Sequence, residues 1–154
     1  MHVPQVVAEI SRLIQLEVDA SEAYRAAVEI VGPGPIGAEL SYFRLEHQRR
    51  FLQLTEVVLK LGYHPPEVTP DVKGVVIGAL TPPRRRPTVE EVLEAVRGNE
   101  QLTGSVYAKA LLKPFPRGVL DLLERARADE RQHLAWVERA ISRRLWERED
   151  VAQP

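Results

Sequence analysis

The sequence predicts an all-α protein, a bundle of four long helices arranged as two antiparallel hairpins joined by a long crossover. Three observations carry this. Four long segments repeat apolar residues at three- and four-residue spacing, nearly all Gly and Pro fall between those segments, and nothing reads clearly as strand. The links are also unequal: the first and third are short, whereas the middle one takes up residues 62–87.

The first helix is expected over about 4–31, with Val6, Val7, Ile10, Leu13, Ile14, Tyr24 and Val28 on one stripe, stopped by the GPGP run at 32–35. The second runs over about 37–61 and ends at Gly62, with Pro65 and Pro66 beyond. Thr88, three residues before Glu91, forms a capping box that starts a third helix over about 88–112. Pro116 opens a fourth, over about 117–147, after which no fifth helix is recognisable. Each spans about 37 Å at about 1.5 Å per residue. Within the crossover, Val72 to Leu80 is apolar enough to lie against the bundle.

A chain of 154 residues, 44% hydrophobic, suits a single domain over 1–154. With a formal charge of −1 and one basic cluster, Arg84-Arg85-Arg86 in TPPRRRP, nucleic acid is not an expected partner. The absence of cysteine removes disulfides, thiolate metal sites and cysteine nucleophiles. MHVPQVVAEI has no signal-peptide pattern and no apolar run reaches a membrane span, so the expected setting is cytoplasmic.

An offset of 83 residues superposes the two hairpins. Glu17 falls on Glu100 and Tyr24 on Tyr107; in the second helix of each pair, Leu40 falls on Leu123, Leu54 on Val137 and Val58 on Ile141. The same register puts His47 on Glu130 and Arg50 on His133. The second hairpin thus supplies Glu100 with Glu130-x-x-His133, and the first supplies Glu17 with His47-x-x-Arg50. Periodicity turns all of these inward, and a one-residue shift of the second helix, which would bring in Glu46 and Arg49 instead, breaks the match of apolar faces.

Burying an isolated carboxylate costs several kcal/mol, roughly, unless it is paired, protonated or bound to metal. Three at mid-helix call for a shared reason, and carboxylates with imidazoles suit iron, manganese or zinc. The pattern Glu17-x-x-Ala20-x-x-x-Tyr24, Glu100 and Glu130-x-x-His133-x-x-Trp136 resembles the ferritin-like superfamily, which includes bacterioferritins and rubrerythrins. In length and layout it is most similar to small bacterial ferritin-like proteins of unassigned function, the DUF2383 type.

The resemblance implies a di-iron or di-manganese carboxylate centre in the bundle core, with Glu-x-x-His on both the second and fourth helices. It also implies a role in oxidising Fe(II) or handling oxygen or peroxide. The expected metal residues are Glu17, His47, Glu100, Glu130 and His133, with Glu46 as the alternative to His47; Arg50, Tyr24 and Tyr107 stand behind them. The second helix departs from the family, because a guanidinium cannot coordinate but can fork onto a carboxylate. Three outcomes follow: one iron or manganese ion, two in an altered site, or a metal-free polar core acting as an oligomerisation or partner-binding module. A homodimer is the expectation from base rates.

Overall fold

The structure is a computed structural model that describes residues 1–71 and 86–152, with side chains to residue 148. The described helices are α1 (Val3–Val31), α2 (Pro35–Lys60), α3 (Val89–Ala110), α4 (Arg117–Ser142) and a short α5 (Leu145–Ala152). The apolar stretch expected at 72–80, and Arg84 and Arg85, lie outside the described residues. No described helix is long and apolar enough to cross a membrane.

Local chemistry sets the helix ends. Pro35 occupies the first turn of α2, where its missing N–H costs nothing, so that helix starts two residues before Gly37. Gly37 packs under the preceding turn: a Cβ there would stand 2.3 Å from the Gly32 carbonyl oxygen. Gly62, at φ 83°, turns the chain out of α2. Thr88 caps α3 as expected, its hydroxyl accepting from the Glu91 N–H at 3.2 Å.

The fourth helical segment does not continue unbroken to 147. Arg144 adopts a left-handed conformation at φ 49°, ending α4 at Ser142. The break lets Leu145 and Trp146 fold back onto the end of the core instead of running past it, and the Arg144 guanidinium sits over the Trp146 ring.

The core has two apolar clusters. Val6, Ile10, Leu13, Ile14, Leu54, Val58, Val119, Leu122 and Leu123 fill one end; Ala27, Ile36, Leu40, Phe43, Val92, Leu93, Val96, Val137 and Ala140 fill the other. Every long helix contributes to both, so α1 and α2 run oppositely, as do α3 and α4. The chain therefore leaves α2 at one end of the bundle and enters α3 at the other, and the described ends of the crossover follow α1. Gln15 donates to the Thr69 carbonyl and the Asp71 N–H donates to Asp19, each at 2.8 Å, while Arg86 donates to the Glu29 and Ile30 carbonyls at the C-terminus of α1. Arg86 thereby closes orphan carbonyls of a helix end, a structural task for one member of the basic cluster.

Candidate metal centre

Between the two apolar clusters lies a polar layer: Glu17 on α1, His47 and Arg50 on α2, Glu100 on α3, and Glu130 and His133 on α4, each at most 2% exposed. Helical spacing puts them there. Glu17 falls between Ile14 and Tyr24 on the buried stripe of α1, His47 between Phe43 and Leu54, Glu100 between Val96 and Tyr107, and Glu130 between Ala126 and Val137. Of the two registers for α2, the structure has His47 and Arg50 inward, with Glu46 half-buried and Arg49 exposed.

The first half of the layer is closed on itself. Glu17 accepts from His47 Nδ1 at 2.7 Å, from Arg50 at 3.2 Å and from the Tyr107 hydroxyl. Arg50 also donates to Glu130 at 2.5 Å and to Asp129 at 3.0 Å, so its guanidinium is surrounded by three carboxylates. Burial alone would raise the Glu17 pKa, but His47, Arg50 and the Tyr107 hydroxyl hold it below the usual value.

The second half is open. His47 Nε2, Glu100 Oε2, Glu130 Oε2 and His133 Nδ1 are all buried without a hydrogen-bond partner. The four residues that own these atoms can each place a ligand atom within 4.8 Å of all the others. The neighbouring separations, 3.5 Å from His47 Nε2 and 3.6 Å from His133 Nδ1 to the Glu100 carboxylate, are long for hydrogen bonds. Adjacent donors about 2.1 Å from a shared ion lie roughly 3.0–3.4 Å apart, so the cluster must contract to hold one. Two nitrogens and two carboxylates without a thiolate suit iron, manganese or zinc.

Each imidazole is aimed by a carboxylate on its far side. His47 Nδ1 faces Glu17, leaving Nε2 toward the cluster; His133 Nε2 lies 2.8 Å from Glu46, leaving Nδ1 toward it. With these bonds taken as donated by the imidazoles, His47 Nε2 and His133 Nδ1 are the nitrogens left facing the cluster, the carboxylate–histidine arrangement that orients metal ligands. Phe43 stacks on the His133 ring at 4.2 Å and fixes its plane. Glu46 thus buttresses His133 from the layer's rim instead of replacing His47.

The electrostatics favour a cation. With no ion, burial and the Glu100 carboxylate push Glu130 well above its ordinary pKa; burial opposes charge on His47, but Glu17, Glu100 and Glu130 push it well above its own. Glu100 is held well below the usual range, against its burial, by Glu130 and the two histidines. Two protons then balance the layer. Without them, the three carboxylates Glu17, Glu100 and Glu130 exceed Arg50 by two negative charges, the charge of one divalent cation.

The tyrosines cross between the halves: Tyr24 of α1 donates to Glu100 of α3, and Tyr107 of α3 donates to Glu17 of α1. Burial and these carboxylates raise both phenol pKa values, so both remain donors. Asp129 was not among the expected site residues, yet the 83-residue offset that pairs His47 with Glu130 also pairs Glu46 with Asp129. Each sits on the rim and steadies the last residue of the opposite motif, His133 or Arg50. Three concavities among the described residues border the layer: one of about 90 Å³ between α1 and α3 that touches Tyr24 and Glu100, one of about 360 Å³ between α3 and α4 beside Glu100 and Glu130, and one of about 410 Å³ between α2 and α4 that touches Glu46, Arg50 and Asp129.

No family model and no curated protein matches the chain. Solved structures do. A ferritin-like, diiron-carboxylate protein from Bacillus anthracis aligns at a TM-score of 0.71 with 21% identity, over 92% of this chain and 99% of its own. A Dps1 mutant from Mycobacterium smegmatis aligns at 0.72 with 14% identity over 90% and 96%. Dps from Thermosynechococcus elongatus aligns at 0.56 with 19% identity over 88% of each. The fold is therefore ferritin-like, a four-helix bundle with a candidate metal-binding cluster of histidine and glutamate in its core.

Proposed function

We propose that this protein binds one transition-metal ion, iron or manganese, between His47, Glu100, Glu130 and His133, with Arg50 standing where a second ion would sit. One observation carries the reading: His47, Glu100, Glu130 and His133 can each bring a ligand atom within 4.8 Å of the other three, and each also has a buried polar atom without a hydrogen-bond partner. Glu17 falls outside the ligand set in this reading, because its oxygens already accept from His47, Arg50 and Tyr107. It aims His47 instead.

Held there, such an ion would supply redox or Lewis-acid chemistry beside the concavities that border the layer. Dioxygen, peroxide and Fe(II) are substrates suited to such a centre. The chain's own residues would orient the histidines through Glu17 and Glu46, donate to the carboxylates through Tyr24 and Tyr107, and supply a fixed positive charge through Arg50. We place the protein beside small bacterial ferritin-like proteins of the DUF2383 type, as a cytoplasmic homo-oligomer, on its length and the order of its motifs.

The test is metal content of protein loaded with Fe(II) or Mn(II), compared with Glu130→Ala/His133→Ala. The expectation is about one ion per chain in the parent and affinity lowered at least about a hundredfold in the variant. Equal metal content in the two would dismiss this site. A melting temperature unmoved by chelator and by either metal would instead favour a metal-free bundle whose polar core serves packing and assembly.

A further inference from the structure

The concavity between α3 and α4, about 360 Å³, has an uneven charge balance. Apart from Glu100 and Glu130 of the polar layer, its charged residues are two cations, Arg127 and Arg131 of α4. Arg127 is half-buried and anchored by one N–H to the Gly104 carbonyl. A Cβ at position 104 would stand 2.6 Å from the Arg127 Nη1, so the glycine is what admits this guanidinium to the groove. Among the described residues neither arginine makes an ion pair. Glu100 and Glu130 are turned to other donors, Tyr24 and Arg50.

The first hairpin carries its own counter-charge at the matching place. Under the 83-residue offset Arg127 falls on Arg44, Ser105 on Glu22 and Ala108 on Arg25. Arg25 bonds Glu22 at 2.7 Å and holds its carboxyl below the ordinary pKa, with the Arg44 charge adding to the effect. The second hairpin has a hydroxyl where that carboxylate stands and a methyl where Arg25 stands, and it has Arg131 in place of Gln48. The α3–α4 groove is thus short of one negative charge, richer by one positive charge on α4, and cleared of a long side chain.

We propose that this concavity binds the carboxylate of a small organic acid between Arg127 and Arg131. A guanidinium presents parallel N–H groups that match the two oxygens of a carboxylate, and Arg127 spends only one of its five on Gly104. The Ser105 hydroxyl and the Gln101 amide line the same space and can donate beside it. Ala108 and Leu134, also in the lining, favour an acid with a hydrocarbon part over a bare inorganic anion. The acid would lie beside Glu100 and Glu130, but the side chains that hold it are outside the metal cluster, so the site needs no metal.

Calorimetric titration of the metal-free full chain with pentanoate, acetate and inorganic phosphate is the test. Pentanoate should bind at one site per chain, and affinity should fall about two- to fourfold for each methylene removed on the way to acetate. Arg127→Gln should weaken pentanoate binding at least about tenfold. Ser105→Glu, at an exposed position, supplies the carboxylate that the first hairpin carries and should abolish binding with helicity unchanged by circular dichroism. Arg125→Gln removes an exposed arginine of α4 outside this concavity and should leave affinity as it is. No binding of pentanoate up to about 10 mM would overturn the proposal. So would binding that survives Ser105→Glu, or an equal loss in Arg125→Gln, which would mark diffuse attraction to a basic surface. Phosphate held as tightly as pentanoate would overturn the choice of an organic acid.

Discussion

The two hairpins place matching residues at the polar layer, Glu17 with Glu100 and Tyr24 with Tyr107, and they differ where α2 carries His47 and Arg50 and α4 carries Glu130 and His133. On the arginine side the carboxylates have all the donors they need: Glu17 takes three, and Arg50 spreads across Glu17, Glu130 and Asp129. On the histidine side four ligand atoms are left without partners. A guanidinium brings its own positive charge and several donors into a space that a cation would otherwise fill, while an imidazole brings a lone pair and leaves the charge to be supplied. The same backbone duplicated once thus gives one self-contained half and one half that calls for an ion.

Making the halves alike is the strongest way to break this comparison. His47→Glu/Arg50→His writes a second Glu-x-x-His onto α2, and we expect metal content to rise from about one to about two ions per chain, measured by elemental analysis. An unchanged count would mean that Arg50 is not what excludes the second ion. Emptying each half in turn should have unequal effects in metal-free protein. Arg50→Leu strands Glu17 and Glu130 in the core and is expected to cost about 3–5 kcal/mol in urea unfolding; His133→Leu, whose ring bonds only the rim carboxylate of Glu46, should cost about 1–3 kcal/mol. Equal losses would remove the distinction.

Metal itself should raise stability by about 2.7 kcal/mol at a hundredfold excess over Kd, a shift reversed by chelator. Its sign with pH follows from the raised pKa values of His47 and Glu130. Both must lose a proton before they can ligate, so affinity should fall as pH falls, by up to about a hundredfold per unit where both are protonated. Calorimetry in buffers of different ionisation enthalpy would count the protons released; none released would contradict the assignment of these two as ligands. The smallest contrast lies in the tyrosines. Tyr24→Phe takes a hydrogen bond from Glu100, which no arginine reaches, and should cost about 1–3 kcal/mol, whereas Tyr107→Phe leaves Glu17 with His47 and Arg50 and should cost about 1 kcal/mol, both read by chemical denaturation.

Much of this was legible before any coordinates. Apolar spacing gave four helices and the long link gave their connection, because a helix with one apolar stripe has few ways to bury it. The Thr88 cap is local chemistry and needed no tertiary information. The 83-residue repeat brought Glu17, His47, Arg50, Glu100, Glu130 and His133 to one level, and it contained Asp129 as well, had the rim been compared along with the stripe. The break at Arg144 was not legible, since Leu145 and Trp146 continue a plausible helical pattern and turn only because the core beneath them ends.

The sequence by itself determined which side chains face inward and at what height, because helical period and register are properties of each segment alone. Only the tertiary structure decided which inward groups are already satisfied. Whether Glu17 is a ligand or the support of one, and whether Glu46 replaces His47 or steadies His133, depends on which donor from another helix reaches each oxygen first. Those distances of 2.7–3.2 Å are set by how four helices pack, not by any one of them.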